Sequence, residues 1–191
     1  MITKSLVTKL KREIEKADSG RSRIIRETNG LIRDAKQAIF SLHRNDSAIA
    51  EKSLVKTSVS LARLIRIAEK DGLRGEATLK AAIEEFLEAD YLLRVIKNQS
   101  LNARYPFKPM ADEQLAALSD LTGELVRAAT LEVTHGNSKR VKLFRDATDE
   151  LFGVLLSMNL RGSLRQKRDD ARRNLRRLEE ILYDVSLRNQ A

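Results

Sequence analysis

Two short acidic patterns contain residues that could carry out chemistry. Glu85 and Glu88 are three residues apart, and Asp120 and Glu124 are four residues apart. On a helix, either spacing places the two side chains next to each other on one face. Carboxylate oxygens are the ligands that Mg²⁺ and Mn²⁺ prefer. A metal held by them can activate water and neutralise charge on a phosphodiester. Two neighbouring helices with these pairs would therefore form a metal cage suited to phosphodiester hydrolysis.

The same spacings also have a simpler explanation. Such pairs occur on many solvent-exposed helices, and spacing alone favours that interpretation. Gly123, inside the second pair, would let a ligand or another backbone approach closely. The chain has two histidines. His43 lies in an apolar stretch and is expected to be packed or to cap a helix, whereas His135 is expected at a helix C-terminus.

Helical periodicity runs through nearly the whole chain and predicts an all-α fold, an antiparallel bundle of six to seven helices forming one domain over residues 1–191. The first helical segment, residues 3–44, contains Gly20 and Gly30 and is either one long helix or two. The other helices are expected at about 47–71, 75–98, 112–135, 138–158 and 163–188.

Cap motifs mark several of these boundaries. Asn45-Asp46-Ser47 and Ser163-x-x-Gln166 are typical of helix N-termini. Gly72 and Gly136 are placed as residues that follow a helix C-terminus. Both prolines lie in the longest predicted loop, residues 100–110.

Composition restricts the class of protein. The net charge is +9, and such an excess is typical of proteins with an anionic partner: nucleic acid, an anionic membrane or an acidic protein. The absence of cysteine excludes disulfides, Fe–S clusters and thiolate zinc sites. No apolar run has the length of a membrane span or a signal peptide. We therefore expect a cytoplasmic protein without a membrane partner.

The positive charge is concentrated in two segments. Residues 161–177 contain eight basic and two acidic side chains, 8 − 2 = +6, and the first 27 residues add 8 − 4 = +4. Seven of the eight bases in 161–177 are arginine, whose planar guanidinium binds phosphate bidentately. This indicates a track for a phosphate backbone, and the alternative is a solvated helix face with i,i+4 ion pairs. No aromatic stacking platform is evident, so recognition of individual bases is not predicted.

At these motifs the sequence resembles the translin/TRAX family, and TRAX-type subunits more closely than translin-type ones. The Asp-Leu-Thr-Gly-Glu-Leu string is the most specific match, and the ordered set of matches covers most of the chain. The matching stretches are Asp34-Ala-Lys-Gln-Ala-Ile-Phe-Ser-Leu-His-Arg44, Glu85-Phe-Leu-Glu-Ala89, Asp120-Leu-Thr-Gly-Glu-Leu125, Ser163-Leu-Arg165 and Leu178-Glu-Glu-Ile-Leu-Tyr-Asp-Val-Ser-Leu-Arg188.

The resemblance implies a helical bundle that assembles into hollow octamers. It implies Mg²⁺-dependent endoribonuclease activity in TRAX-type subunits, which cut small-RNA passenger strands or trim tRNA-precursor fragments, and RNA or DNA binding in translin-type subunits. The TRAX catalytic and metal-binding carboxylates fall on Glu85, Glu88, Asp120 and Glu124. The RNA-binding candidates are Arg21 and Lys80 by family position, and Arg165, Lys167 and Arg168 by charge.

The chain departs from TRAX-type proteins in two places. They have a longer insertion after the third helix and a longer C-terminal tail, whereas here the loop is short and the sequence ends at Ala191. We expect a minimal core that forms a homo-oligomer, with a translin-like partner subunit as the alternative. The rival functions are a non-catalytic translin-like protein that binds single-stranded RNA or DNA, and a structural helical interaction protein.

Overall fold

The computed structural model describes residues 2–188, apart from the side chain of Ser138, and this part of the chain contains helices but no strand. The all-α prediction is confirmed. The six helices are α1 Lys4–His43, α2 Ser47–Lys70, α3 Ala77–Ile96, α4 Ala111–Thr134, α5 Ser138–Leu156 and α6 Gly162–Arg188.

The helices pack as two groups of three that share one core. α1, α2 and α3 contact one another, α4, α5 and α6 do the same, and α3 packs against α4 to join the groups. α3 and α4 bury the most side chains and occupy the centre. The predicted apolar stripes face this core, with Ile83, Phe86 and Leu87 on α3 and Leu121 and Leu125 on α4 all buried.

α1 is a single helix of 40 residues, so neither internal glycine interrupts it. A glycine inside a helix costs only about 1 kcal/mol relative to alanine, and packing of the following turns supplies more than that. The buried side chains of α1 begin at Ile24. Residues 2–19 are exposed throughout, and they include Leu6, Leu10 and Ile14. The first half of α1 therefore has an apolar side that residues 2–188 leave uncovered.

Two helices end at glycines in the same way. Gly72 and Gly136 follow α2 and α4 with φ of +69° and +75°, and the next amides, of Leu73 and Asn137, bond back five residues. This is the Schellman arrangement, which favours a residue without a Cβ at the left-handed position. The two predicted C-terminal glycines are thus confirmed.

The N-cap of α2 lies within Asn45-Asp46-Ser47, as the sequence predicts, whereas the predicted start of α6 needs correction. Asn45 adopts φ of +65° and closes α1, since the amide of Asp46 bonds to the carbonyl of Ser41. Asp46 is the N-cap residue of α2, but its side chain makes no cap hydrogen bond. α6 already begins at Gly162, so Ser163 lies within its first turn and not at the N-cap. Such shifts of one or two residues are common at helix ends.

The loop between α3 and α4 is held by buried polar contacts. The Tyr105 hydroxyl donates to Asp90 Oδ2 at 2.7 Å, and the Tyr105 and Phe107 rings pack edge-on to Phe86. These contacts fix the start of α4 relative to α3, the two helices that carry the candidate carboxylates. No helix within residues 2–188 is long and apolar enough to cross a membrane.

Candidate active site

α3 and α4 bring the four predicted carboxylates together. Glu88, on the half-buried side of α3, is close enough to Asp120, Glu85 and Glu124 for all three charges to act on it. The pKa of Glu88 is raised to about 8, mainly by burial and also by the charges of the three neighbouring carboxylates, against a lowering effect of Lys167. Two pairs that are 32 or more residues apart in sequence thus form one acidic cluster, defined as Glu85, Glu88, Asp120 and Glu124.

Basic side chains hold three members of the acidic cluster. Lys36 Nζ on α1 lies 3.0 Å from Glu85 Oε1, and Lys167 on α6 donates to Asp120. His43 Nε2 is hydrogen-bonded to Glu124. The hydrogen bond to Glu85 is the main cause that raises the pKa of Lys36. The two helices that flank α3 and α4 on this side, α1 and α6, therefore both contribute bases.

Glu88 differs from the other three acids. Within the part of the chain that is described, it makes no ion pair, while each of the others has a basic partner. Arg127 Nη1 adds a second, longer contact to Glu124 at 3.9 Å. A carboxyl that is buried among three negative charges without a base of its own would gain most from a bound cation.

The acidic cluster fits a hard divalent cation in its donor chemistry. All four donors are carboxylates, which suit Mg²⁺ and Mn²⁺, and the unpaired Glu88 supplies a reason for a cation to bind there. In the described side-chain positions, no three His, Asp or Glu side chains of residues 2–188 are arranged to hold a metal ion. Metal binding would therefore require the three paired carboxylates to turn from their basic partners toward Glu88.

His43 is packed, as its apolar surroundings in the sequence predict. Its side chain is 3% exposed. Its contact with Glu124 was not predicted from the sequence. Nδ1 of the same ring has no hydrogen-bond partner among the described residues. A signal is present in the sequence, because Lys36 and His43 are seven residues apart and seven residues return to the same helix face.

Glu84 also lies beside the acidic cluster. Burial is the main cause that raises its pKa, the charges of Lys167 and Lys80 lower it, and Asp120 raises it again. Glu84 was not among the predicted site carboxylates, because it is adjacent to Glu85 and adjacent residues on a helix point in directions about 100° apart. Its closeness to Asp120 depends on how α3 packs against α4.

Two RNA-binding candidates, Arg21 on α1 and Lys80 on α3, are paired with acidic side chains. Arg21 Nε lies 2.9 Å from Glu76 Oε2, and Lys80 Nζ lies 2.6 Å from Asp112 Oδ2. The hydrogen bond to Asp112 is the main cause that raises the pKa of Lys80, and the same bond lowers the pKa of Asp112. Lys80 Nζ also lies 3.9 Å from Glu84 Oε1, and the charge of Asp120 acts on Glu84. Lys80, with Arg21 one turn before it through Glu76, therefore borders a path toward the acidic cluster.

α6 divides the other three candidates between its faces. Lys167 points into the acidic cluster through Asp120. Arg165 lies roughly 160° around the helix from Lys167; it is exposed and has no acidic partner among residues 2–188. Arg168 is half-buried and donates to the adjacent Asp169 at 3.1 Å. The segment predicted to be one phosphate track therefore contributes one base to the cluster and presents others elsewhere.

The expected role of Gly123 is not observed. A Cβ at this position would lie 3.7 Å from Nδ2 of Asn174, an ordinary van der Waals distance. Asn174 donates to Thr122 Oγ1 at 2.9 Å and thereby ties α6 to α4 beside the acidic cluster. Among the described residues no backbone approaches this glycine closely, and the part of the prediction that concerns a ligand stays a prediction.

Comparison with known proteins identifies relatives of this architecture. The crystal structure of apo-NeC3PO is 22% identical, with a TM-score of 0.82 over 97% of this chain and 98% of that one. The crystal structure of AfC3PO is 17% identical, with a TM-score of 0.88 over 97% and 99%. A structure of AfC3PO in complex with duplex RNA is 16% identical, with a TM-score of 0.84 over 95% and 96%. At these identities the likeness shows the fold.

A search of curated protein sequences found no match. The profile of the Translin family matches residues 19–189, which is most of the chain and includes all four carboxylates of the acidic cluster. The sequence resemblance is thus confirmed at the level of the family, and this chain belongs to the Translin family.

Proposed function

We propose that this protein is a Mg²⁺-dependent endoribonuclease of TRAX type that hydrolyses phosphodiester bonds in RNA. The observation that carries the proposal is the burial of Glu88 beside Glu85, Asp120 and Glu124, with its pKa raised to about 8. A carboxyl that resists ionisation without a cation is typical of a site that is completed by one. Cytoplasmic RNA, such as a small-RNA passenger strand or a tRNA-precursor fragment, is the proposed substrate.

Each group in the acidic cluster has a role in this proposal. The four carboxylates would hold one or two Mg²⁺, with Mn²⁺ as a substitute. The bound ion would supply charge neutralisation and an activated water. Lys36 and Lys167, displaced from their carboxylates, would be within reach of a phosphate placed at the cluster. Buried His43 holds Glu124 through its Nε2 in the metal-free protein, and Glu124 would leave this bond to bind the ion.

Two observations support RNA as the substrate class. One of the similar structures is of AfC3PO in complex with duplex RNA. The net charge of +9 favours an anionic partner of this kind. Arg21 and Lys80, beside the path to the acidic cluster, are the bases that we propose contact the RNA backbone near the scissile bond. Arg165 and Arg168 would contact it farther away.

A second function is favoured by one specific observation. Lys36, Lys167 and His43 already satisfy three of the four carboxylates. Carboxylates that are paired with bases in this way would be structural. A non-catalytic protein that binds single-stranded RNA or DNA would also contain such a site. The two functions differ in whether Mg²⁺ is required for a change in the RNA.

We also propose that the protein acts as a homo-oligomer, with an octamer as the expected assembly. The exposed apolar side of residues 2–19 supports self-association, because an isolated helical segment of this length is marginal in water without a partner. A translin-like partner subunit is the alternative. The native mass of the purified protein distinguishes a monomer of 21.6 kDa from either assembly.

The central experiment measures cleavage of a labelled RNA of about 20 nucleotides with Mg²⁺ and with EDTA. Glu88→Gln and Asp120→Asn keep the shape of each side chain and remove its charge. Glu51→Gln and Asp149→Asn are matched controls, since both acids are exposed and lie outside the acidic cluster. We expect cleavage only with Mg²⁺, a loss of at least about 100-fold in the two cluster variants, and wild-type rates in the controls.

Three results would contradict the nuclease or the site proposed for it. Wild-type protein that binds RNA without cutting it under any divalent cation supports the non-catalytic function. Cleavage that survives unchanged in both Glu88→Gln and Asp120→Asn would mean that the acidic cluster is not the active site. Protein that shows no RNA affinity even at low salt would support neither function and favour a structural interaction protein.

A further inference from the structure

An exposed aromatic ring lies beside the acidic cluster. Phe40 on α1 is 54% exposed, whereas the rings of Phe86, Phe107 and Phe144 pack against other groups within the described chain. Exposed apolar side chains are common on protein surfaces and need no explanation singly. The position of Phe40 relative to the active-site bases distinguishes it from such residues.

Helix geometry places Phe40 at the edge of the acidic cluster. Lys36 precedes it by four residues and His43 follows it by three, so all three side chains share one face of α1. Lys36 contacts Glu85 on α3, and His43 contacts Glu124 on α4. With a rise of about 1.5 Å per residue, Phe40 lies about 6 Å from one base and about 4.5 Å from the other along the helix axis.

The surroundings of the ring are cationic. The guanidinium carbon of Arg44 lies 5.6 Å from the centre of the Phe40 ring. Arg33, seven residues before Phe40 on the same side of α1, is exposed. Neither arginine forms an ion pair with an acidic side chain of residues 2–188. Arg44 covers one face of the Phe40 ring. An aromatic ring with unpaired arginines beside it is a combination that binds an unpaired nucleotide, with the base stacked on the other face and the phosphate paired.

A protein contact fits this surface less well. Interfaces between proteins have an apolar core and are depleted of charge at their centre. The residues that adjoin Phe40 on the exposed side of α1 are Arg33, Lys36, Gln37 and Arg44, all of them polar. A longer run of exposed apolar side chains lies on residues 2–19, at least 20 residues away.

We propose that Phe40 is a stacking platform for an unpaired base of RNA, next to the phosphate that occupies the acidic cluster, with Arg44 and Arg33 binding the flanking phosphates. The inference rests on the proposed function, because it takes RNA as the ligand. It deepens that function by adding a nucleobase subsite that selects unstacked over base-paired nucleotides at the point of cutting.

The test compares Phe40→Ala, Phe40→Leu and Phe40→Tyr. The probe is a single-stranded RNA octamer with one 2-aminopurine, and its fluorescence and dissociation constant are measured in EDTA, so that cleavage is not needed. Stacking on an aromatic ring is sequence-tolerant, and its loss weakens binding by about 5- to 150-fold per base. We expect that loss in the Ala and Leu variants, together with loss of 2-aminopurine quenching, and near wild-type binding in the Tyr variant.

Tyr183→Ala provides the matched control. Tyr183 is an exposed aromatic on α6, roughly 160° around that helix from Lys167, and therefore faces away from the acidic cluster. Its removal is expected to leave quenching unchanged. The native mass of each variant is measured in parallel, because an assembly contact would alter it.

Four outcomes would overturn the stacking platform, the last of them together with the nuclease. If Phe40→Ala binds the octamer with wild-type affinity, the ring has no role in binding. If only Phe40→Leu keeps wild-type affinity, the ring acts by apolar packing and not by stacking. A change in native mass would assign Phe40 to a contact between copies. Wild-type protein that binds and quenches the octamer without cutting RNA contradicts only the nuclease, whereas failure to bind at low salt contradicts both proposals.

Discussion

Lys36 Nζ lies 3.0 Å from Glu85 Oε1 and joins the long first helix to the central helix α3. Lys36 also senses the charges of Glu88 and Glu124, both of which raise its pKa after the main contribution from Glu85. One lysine therefore offsets part of the charge of three of the four carboxylates in the acidic cluster. A bound cation would compete with Lys36 for the same negative field.

Replacing Lys36 by methionine should strengthen the response to Mg²⁺. The variant loses one positive charge beside four carboxylates, so a cation at the acidic cluster becomes more favourable. A tenfold tighter dissociation constant corresponds to about 1.4 kcal/mol. Because about 1 kcal/mol shifts Tm by roughly 2–4 °C in a domain of this size, the Mg²⁺-induced rise in Tm should exceed that of wild type by at least about 2 °C.

Lys97→Met is the control for this measurement. Lys97 pairs with Glu51 outside the acidic cluster, with a distance of 2.6 Å between Nζ and Oε2. Its Mg²⁺ response should equal that of wild type. A smaller Mg²⁺ response in Lys36→Met than in wild type would show that the lysine does not compete with the ion.

Glu88→Gln should stabilise the metal-free protein at high pH. Folding raises the pKa of Glu88 from 4.5 to about 8, so the folded state holds a proton that the unfolded state loses between these values. The contribution of Glu88 to stability is therefore greatest at low pH and falls as pH rises from about 4.5 to 8. The variant lacks this loss, and its Tm in EDTA should exceed that of wild type by at least about 3 °C at pH 9.

The pH profile distinguishes this effect from a simple change in packing. The difference in Tm between variant and wild type should be smallest at about pH 5, grow up to about pH 8 and then stay constant. A difference that does not depend on pH would mean that Glu88 ionises normally in the folded protein. Glu51→Gln, at an exposed position, should follow the wild-type profile throughout.

The fold was predictable because it depends on local patterns. The periodicity of apolar residues and the glycines after α2 and α4 set the helices to within a few residues. The triplet Asn45-Asp46-Ser47 contains the N-cap of α2, Asp46, but its first residue closes α1, because asparagine serves both as an N-cap and as a left-handed residue after a helix. Sequence alone does not decide between these two uses when helices are separated by only three residues.

The acidic cluster was predictable only in part. The pairs Glu85–Glu88 and Asp120–Glu124 follow from helix spacing, but their union depends on the packing of α3 against α4. The bases were harder, since charge density on α6 placed Arg165 and Lys167 in one track. Side chains that are two residues apart on a helix, such as Arg165 and Lys167, point in directions roughly 160° apart. In the bundle only Lys167 of these two points toward the cluster.

Glu113→Gln should cost about 3–5 kcal/mol of stability. Arg74 and Glu113 form a bidentate ion pair with distances of 2.7 and 2.8 Å, and the Glu113 side chain is 1% exposed. Removing the carboxylate charge leaves the guanidinium buried without a counter-ion. The same carboxylate accepts the Met110 amide at 2.7 Å and so caps α4.

Denaturation by urea at a fixed protein concentration measures this loss, since assembly would couple stability to concentration. Glu51→Gln removes a half-exposed pair and should cost less than about 1 kcal/mol. If Glu113→Gln costs no more than this control, the ion pair does not hold the start of α4. A variant of normal stability with reduced cleavage would instead indicate a direct role in the reaction.

The path of RNA can be tested by two double variants. The first, Arg21→Gln with Lys80→Met, removes the two bases that border the path toward the acidic cluster. The second, Arg165→Gln with Arg172→Gln, removes two exposed bases on the outer face of α6. A short RNA held at the acidic cluster of one subunit should reach only the first pair. Cleavage of a pentanucleotide should therefore fall by about tenfold or more in the first double variant and stay within about twofold of wild type in the second.

Salt dependence separates a phosphate contact from an effect on folding. Each phosphate contact with a single strand contributes about 0.7 to the slope of log K against log salt. For long RNA, either double variant should lower that slope by about 1.4. The contrary outcome is that the α6 variant slows cleavage of the pentanucleotide as strongly as the variant of Arg21 and Lys80 does. That result would contradict the proposed path and would mean that the RNA reaches the acidic cluster across the outer face of α6. In a closed oligomer, that face of α6 would come from a neighbouring subunit.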